Sequence, residues 1–160
     1  MKLALVAAAA MLIGAAQPAQ TPISLKDPAL FLKQLRELGY SPDPYKPDTV
    51  NPTTVLHLGD QTLAVVLVGC VNKRDCKYIA IYGTFTDISA PPDAWIARMN
   101  AKYDLIKIST EGDNKLYYSM GAIVEGLPRP AFRALIAALQ DASSDLARQA
   151  VAAGYAIQSK

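Results

Sequence analysis

The only two cysteines of the chain lie six positions apart, at the ends of the stretch "CVNKRDC", residues 70–76. Paired cysteines serve as structural disulfides, redox-active dithiols or metal ligands. Redox-active pairs usually have the spacing Cys-x-x-Cys, whereas five residues separate Cys70 from Cys76. A zinc site needs three or four ligands, and His57 is the only histidine in the chain. The pattern therefore favours a structural disulfide, with free or redox thiols and a metal site as the alternatives.

The N-terminus has the pattern of a secretory signal peptide. Lys2 is followed by an uncharged, alanine-rich run, residues 3–16, and small residues occupy positions −3 and −1 of a cleavage after Ala16. The run is shorter than the roughly 20 residues that cross a bilayer, so we expect no membrane anchor after cleavage. The predicted location is periplasmic or secreted, where paired cysteines are expected to be oxidised.

Net charge and motifs argue against several classes of function. The formal charge of +2 includes Lys2, so the chain without its signal peptide is nearly neutral, and nothing predicts binding to nucleic acid. We find no Ser-His-Asp spacing, no His-Glu-x-x-His, no Walker motif and no dinucleotide-binding glycine loop. A lone His57 is more typical of a surface residue than of a general base. The prediction is a protein without enzymatic activity, cofactor or metal.

Hydrophobic periodicity and turn residues indicate the elements that must position the cysteines. Helical spacing of apolar residues predicts helices, and alternating or β-branched runs predict strands. Four prolines between Pro42 and Pro52 predict an extended connector. Helices are predicted over 25–38, 92–101 and 128–152, and strands over 53–58, 62–68, 77–85, 105–110 and 115–124. Ser24 is the predicted N-cap of the first helix, whose apolar stripe contains one polar residue, Gln34.

The resulting order, α-β-β-β-α-β-β-α, predicts an α+β fold: an antiparallel β-sheet of about five strands with helices packed on it. Cys70 and Cys76 then lie at the facing ends of two antiparallel strands, where their Cα atoms can come within disulfide range. The predicted organisation is a signal peptide (1–16), a flexible mature N-terminus (17–24), one domain (25–152) and a loose C-terminal tail (153–160).

Two features are candidate binding surfaces. If helices cover one face of the sheet, some strand tyrosines must lie on the other face, which could dock a peptide or a partner subunit; the alternative is cross-strand pairing that only stabilises the sheet. The second candidate is the charged loop tip at Lys73 and Arg74, which could enter a partner's cleft or be an ordinary solvated turn. The candidate strand tyrosines are Tyr78, Tyr82, Tyr117 and Tyr118.

Several short motifs resemble one protein family. They are "LxxLGY" at the end of the first helix (Leu35, Leu38, Gly39, Tyr40), the "VGC…C" pattern (Val68, Gly69, Cys70, Cys76), Asn100 and the hairpin that contains Gly112. Over roughly residues 27–147 the chain resembles the secreted branch of the YbjN-type family, described as bacterial sensory transduction regulators. The resemblance implies a type III secretion chaperone-like α+β fold that often dimerises, and it brings no enzymatic activity.

The predicted function is therefore a non-enzymatic, periplasmic or secreted domain that binds an unidentified protein or peptide, in a regulatory or chaperone-like role, and that can form a homodimer. The alternative is an inhibitor of an extracellular enzyme of the lysozyme type, acting through the disulfide-closed 70–76 loop. A third hypothesis, a hydrolase with an unrecognised site, requires a large pocket lined by His57 and carboxylates.

Overall fold

The computed structural model describes residues 21–46, 49–59, 61–112 and 115–157. The predicted signal peptide, residues 1–16, lies outside the described residues. The described part contains three helices and six strands. They are α1 (Pro28–Glu37), β1 (Ser41–Pro42), β2 (Thr53–Leu58), β3 (Gln61–Val68), β4 (Tyr78–Ser89), α2 (Asp93–Lys102), β5 (Lys107–Thr110), β6 (Lys115–Ala122) and α3 (Arg129–Ala152).

The predicted α+β class is confirmed. The strands form one antiparallel sheet in the order β1-β2-β3-β4-β6-β5. Besides the five predicted strands the sheet contains β1, a two-residue strand in the proline-rich connector, where Ser41 pairs with His57 and Pro42 with Leu56. A proline fits there because β1 is an edge strand and needs no outer hydrogen bond.

All three helices contribute to one hydrophobic core on one side of the sheet. Leu63, Val65 and Leu67 alternate inward from β3 and are buried. Helices α1 and α3 meet them through Phe31 and Phe132, whose rings pack edge to face with centroids 6.2 Å apart. The opposite face of the sheet carries the remaining alternate residues and has no helix packed on it in the described part of the chain.

Helix α1 begins later than the sequence predicts. Asp27 is its N-cap, with Oδ1 accepting a hydrogen bond from the Ala29 amide at 2.8 Å, and Pro28 occupies the first helical position. The predicted cap, Ser24, instead donates its amide to Gln34 Oε1 at 2.9 Å. Gln34, the polar member of the apolar stripe, is only 2% exposed. Its side chain can be buried because its oxygen accepts this bond and its amide nitrogen donates to the Pro22 carbonyl oxygen at 2.7 Å.

The packed unit extends beyond the predicted domain at both ends. Ile23 is 1% exposed, and its backbone bonds to residues 126 and 127 at 2.8 and 2.9 Å. At the other end, the Tyr155 carbonyl oxygen accepts the Ser89 amide and the Ile157 amide donates to Asp87. The described parts of the predicted flexible N-terminus and loose tail are therefore docked, because Ile23 bonds to the loop between β6 and α3 and the tail bonds to β4.

Candidate functional site

The predicted disulfide is confirmed. Cys70 and Cys76 are bonded, with their Cα atoms 3.8 Å apart, closer than the roughly 4.4 to 6.8 Å usual for disulfides. The last pair of the β3–β4 ladder, Val68 with Tyr78, lies just before the loop. The bond therefore closes the end of a β-hairpin, as the strand prediction required.

The loop itself folds as a narrow hairpin. Val71 and Arg74 exchange two main-chain hydrogen bonds, at 2.7 and 2.9 Å. The two residues between them, Asn72 and Lys73, have φ values of 50° and 60°, and Asp75 has 48°. Positive φ at both central residues is the mark of a type I′ turn. Asparagine and aspartate adopt left-handed backbone more readily than other residues, whereas it is uncommon for lysine. The hairpin and its disulfide therefore hold Lys73 in an unfavourable conformation.

The predicted tip residues lie along the side of the domain. The amides of Asp75 and Cys76 donate to the carbonyl oxygens of Lys26 and Leu25 at 3.0 and 3.1 Å. An Arg74 guanidinium nitrogen lies 3.4 Å from Asp27 Oδ2 at the start of α1. Lys73 borders a cavity of about 220 Å³ against the proline-rich connector. The loop is thus fastened to α1 and the segment before it.

The four predicted tyrosines divide between the two faces of the sheet. Tyr78 and Tyr82 are 39% and 48% exposed on the face away from the helices, and Tyr117 is half-buried on the same face. Tyr118 is only 3% exposed and belongs to the core. It cannot contribute to a surface as predicted, because it shares the inward alternation of Leu116 and Met120. That two-residue alternation was the available sequence signal.

Strand register defines a surface that we call the outer face. One row across it runs Val55, Ala64, Tyr82, Ser119 and Lys107. Other rows place Val66 beside Ala80, Val68 beside Tyr78, and Thr84 beside Tyr117.

Small residues lie next to large ones on the outer face. Tyr82 and Tyr117 flank Ala64 and Val55, and together they line a shallow depression of about 230 Å³. The depression is wide enough for one bulky apolar side chain. Exposed antiparallel faces are ordinarily polar, so the apolar centre of this one is unusual.

The charged residues at the register-paired positions of the outer face have one sign. Its register-paired residues in the described part of the sheet include Lys107 and Lys115 and no acidic residue. His57 lies near one margin, with Nε2 3.0 Å from Asp43 Oδ1, and both side chains are about half exposed. Within the described ranges, no three His, Cys, Asp or Glu side chains lie close enough together to hold a metal ion.

Sequence reasoning missed a packing constraint beneath the outer face. Tyr118 lies across Gly83 on the helix side, so that a Cβ added to Gly83 would be 2.2 Å from Tyr118 Cζ. The ring also packs against Phe85, with centroids 5.1 Å apart. The contact joins residues far apart in the chain, and a lone glycine in a strand signals only that something approaches closely.

No family model, curated protein or solved structure matches the chain. The YbjN resemblance and the chaperone-like fold type therefore stay predictions. None of the helices among residues 21–46, 49–59, 61–112 and 115–157 has the length and apolar character needed to cross a membrane.

Proposed function

We propose that this domain is a non-enzymatic binding module that holds an extended segment of a protein partner on the outer face of its sheet. The observation that carries the proposal is the exposure of Tyr78 and Tyr82 beside an apolar strip of Val and Ala side chains that no helix of the described chain covers. Contiguous exposed apolar surface marks interaction sites, and tyrosine is enriched in interfaces because it combines apolar area with a polar tip.

The geometry of the outer face favours a partner of particular chemistry. Neighbouring strands lie about 4.8 Å apart, so a segment that runs across the strands meets a side chain of the next strand at each such step. The depression between Tyr82 and Tyr117 suits one large apolar side chain. Lys107, an exposed cation in the same row as Tyr82 and Ser119, favours a carboxylate beside that anchor. The proposed partner segment is therefore extended and acidic, with a bulky apolar anchor.

The compartment is part of the same proposal. A disulfide between Cys70 and Cys76 is typical of proteins outside the cytosol. Together with the predicted signal peptide, it supports a periplasmic or secreted location.

The disulfide loop supports a second candidate, the inhibitor of an extracellular enzyme. Asn72, Lys73 and Asp75 hold positive φ values beside the disulfide. Such conformations persist where surrounding structure enforces them, and they cluster at recognition sites. In this candidate, Lys73 and Arg74 contact an acidic active site of the target.

A peptide selection distinguishes the two candidates. Oxidised protein is used to select from a library of short random peptides, and selected peptides are measured against two variants. One variant carries Tyr82→Ser with Tyr117→Ser, and the matched variant carries Lys73→Ala with Arg74→Ala. We expect acidic peptides with one bulky apolar residue, and a loss of at least about tenfold in affinity for the tyrosine variant only.

Other results would count against the outer face. Selected peptides that lose affinity only with the loop variant would support the inhibitor candidate. Failure to enrich any sequence would contradict peptide binding by either surface. If a second copy covers the outer face, the protein will sediment as a dimer that the tyrosine variant dissociates, and the peptide proposal will be replaced by self-association.

A further inference from the structure

The hairpin ladder between β3 and β4 ends before the strands do. Pairing runs from Val68–Tyr78 to Ala64–Tyr82 and stops there, although β3 begins at Gln61 and β4 continues to Ser89. In a continued ladder Thr62 would face Thr84. Instead, both residues border a cavity of about 380 Å³. We call it the strand-fork cavity.

Hydrogen-bonded side chains connect the cavity wall to α3. Burial raises the pKa of Tyr118 above its ordinary value, and the nearby Ser143 hydroxyl lowers it by a smaller amount, so the phenol stays protonated at neutral pH. Ser143 Oγ donates to the Gln140 carbonyl oxygen at 2.9 Å and accepts from Gln61 Nε2 at 3.4 Å. This network holds the Gln61 side chain in the wall between sheet and helix.

Gln61 carries an unused acceptor. Among the described residues, its Oε1 is the one buried side-chain oxygen or nitrogen without a hydrogen-bond partner. Ser143 cannot supply a proton, because its hydroxyl already donates to Gln140. A buried acceptor without a partner is destabilising, because it has lost its contact with water and gained no hydrogen bond in exchange. Gln61 lines the cavity, and its bond to Ser143 is long at 3.4 Å. A rotation of the amide that gives up this bond would present Oε1 to a ligand that donates hydrogen bonds.

The rest of the lining is rich in acceptors and carries negative charge. It includes the Asp87 carboxylate and the hydroxyls of Thr62, Thr84 and Ser144, and the described lining residues include no cationic side chain. Phe85 adds an aromatic ring, which can attract a cation through its face. The volume falls in the range of about 300 to 1,000 Å³ usual for ligand pockets.

We propose that the strand-fork cavity binds a small organic cation, an amine or a guanidine on a compact apolar body. Its ammonium or guanidinium group contacts Asp87 and the threonine hydroxyls, and one donor satisfies Gln61. An anion is disfavoured by the Asp87 charge. A neutral ligand of the same shape lacks the ionic contact. This proposal does not depend on peptide binding at the outer face, although Thr62 and Thr84 border both sites.

Amide NMR titration of the oxidised protein tests the proposal. The cationic probes are benzylamine and agmatine, and benzyl alcohol and benzoate are the neutral and anionic controls. We expect saturable shift changes at Thr62, Thr84, Asp87 and Ser144 with the cations, and binding at least about tenfold weaker for benzyl alcohol. Non-saturating shifts, or equal binding of the three charge types, would overturn the proposal.

Two variants locate the binding site. Asp87→Asn removes the charge from a solvent-exposed position and should weaken benzylamine binding by up to about fivefold. Ala147→Phe fills the helix side of the cavity and should abolish binding if the fold is kept. Unchanged affinity in Asp87→Asn would refute the site even if Ala147→Phe fails to fold. Tyr82→Ser should retain benzylamine binding, so failure of the outer-face proposal and failure of this one are separable.

Discussion

The side-chain amide of Asn100 forms both main-chain hydrogen bonds of Ile108. Asn100 Nδ2 donates to the Ile108 carbonyl oxygen at 2.9 Å, and the Ile108 amide donates to Asn100 Oδ1 at 2.7 Å. Ile108 lies in β5, which pairs only with β6 and forms the edge of the sheet. Asn100, from α2, therefore takes the position of a neighbouring strand. It covers edge groups that could otherwise pair with another chain.

Replacing Asn100 tests this edge cap. Asn100→Asp keeps the acceptor for the Ile108 amide but loses the donor and sets a carboxylate against a carbonyl oxygen. We expect a loss of about 1 kcal/mol in the free energy of unfolding, a small value because water can reach the site. Denaturant unfolding measures the loss, and faster hydrogen exchange of the Ile108 amide locates it.

The control for the edge cap is Arg98→Ala, an exposed position two residues earlier on α2. It should change stability by less than about 0.5 kcal/mol. If the aspartate variant leaves Ile108 exchange unchanged, the Asn100 bonds do not protect the edge.

Much of the fold was predictable because its signals are local. The run "TLAVVLV" predicts β3 since β-branched residues fill a strand buried on one face. The apolar stripe from Phe132 to Leu146 predicts α3, which is observed over Arg129–Ala152. The disulfide followed from two cysteines at the ends of predicted neighbouring strands, and the structure confirms it.

The errors involve contacts between residues distant in the chain. Ser24 has the chemistry of a helix cap, but Gln34 takes its amide and Asp27 caps α1 instead. The sequence predicts a loose tail, yet main-chain groups of β4 bond to Tyr155 and Ile157. For the candidate site, the sequence indicated tyrosines on an uncovered face. It did not indicate the strand fork, because no local pattern marks where a ladder stops.

Gly83 is expected to be intolerant of any side chain. The Cβ of Gly83→Ala would lie 2.2 Å from Tyr118 Cζ and 2.3 Å from its hydroxyl oxygen. Tyr118 is anchored in the core, so the clash should cost about 3 kcal/mol or more. Thermal or denaturant unfolding gives the value. Combining the change with Tyr118→Ala should recover part of the loss, and this coupling identifies the ring as the cause.

Gly121→Ala is the matched control for Gly83, because an added Cβ there meets no atom within 4 Å. Alanine is also less costly than glycine in a strand, by roughly 0.5 to 1 kcal/mol. We therefore expect the control to be neutral or slightly stabilising. Similar losses in the free energy of unfolding for Gly83→Ala and Gly121→Ala would show that a clash with Tyr118 is not the cause.

Asp145 should make the free energy of unfolding depend on pH in the acid range. Hydrogen bonds from Tyr103 and Lys102 lower the pKa of Asp145 to about 2, against about 3.9 in an unfolded chain. Because the pKa is lower in the folded state, ionised Asp145 stabilises the fold. The contribution is fully present above about pH 4 and is lost as the pH falls towards 2.

Melting temperatures of the wild type and Asp145→Asn measure this effect across the acid range. The wild type should melt higher at neutral pH, and the two curves should converge below about pH 4. Asp141→Asn, an exposed position on the same helix, controls for the removal of one carboxylate. A difference for Asp145→Asn that stays constant down to pH 2 would mean that the Tyr103 and Lys102 contacts do not act through ionisation.

The disulfide should stabilise the docking of the N-terminal segment as well as the loop. Changing both Cys70 and Cys76 to Ser removes a cross-link that closes a short loop, for which loop-closure entropy gives about 2 to 2.5 kcal/mol. The variant should also exchange the amides of Asp75 and Cys76 faster, because these bond to Lys26 and Leu25. Denaturant unfolding and hydrogen exchange measure the two effects, and wild type under reducing conditions is the control. If stability falls while both amides stay protected, the segment before α1 is held by its other contacts, such as those of Ile23 and Gln34, and not by the disulfide.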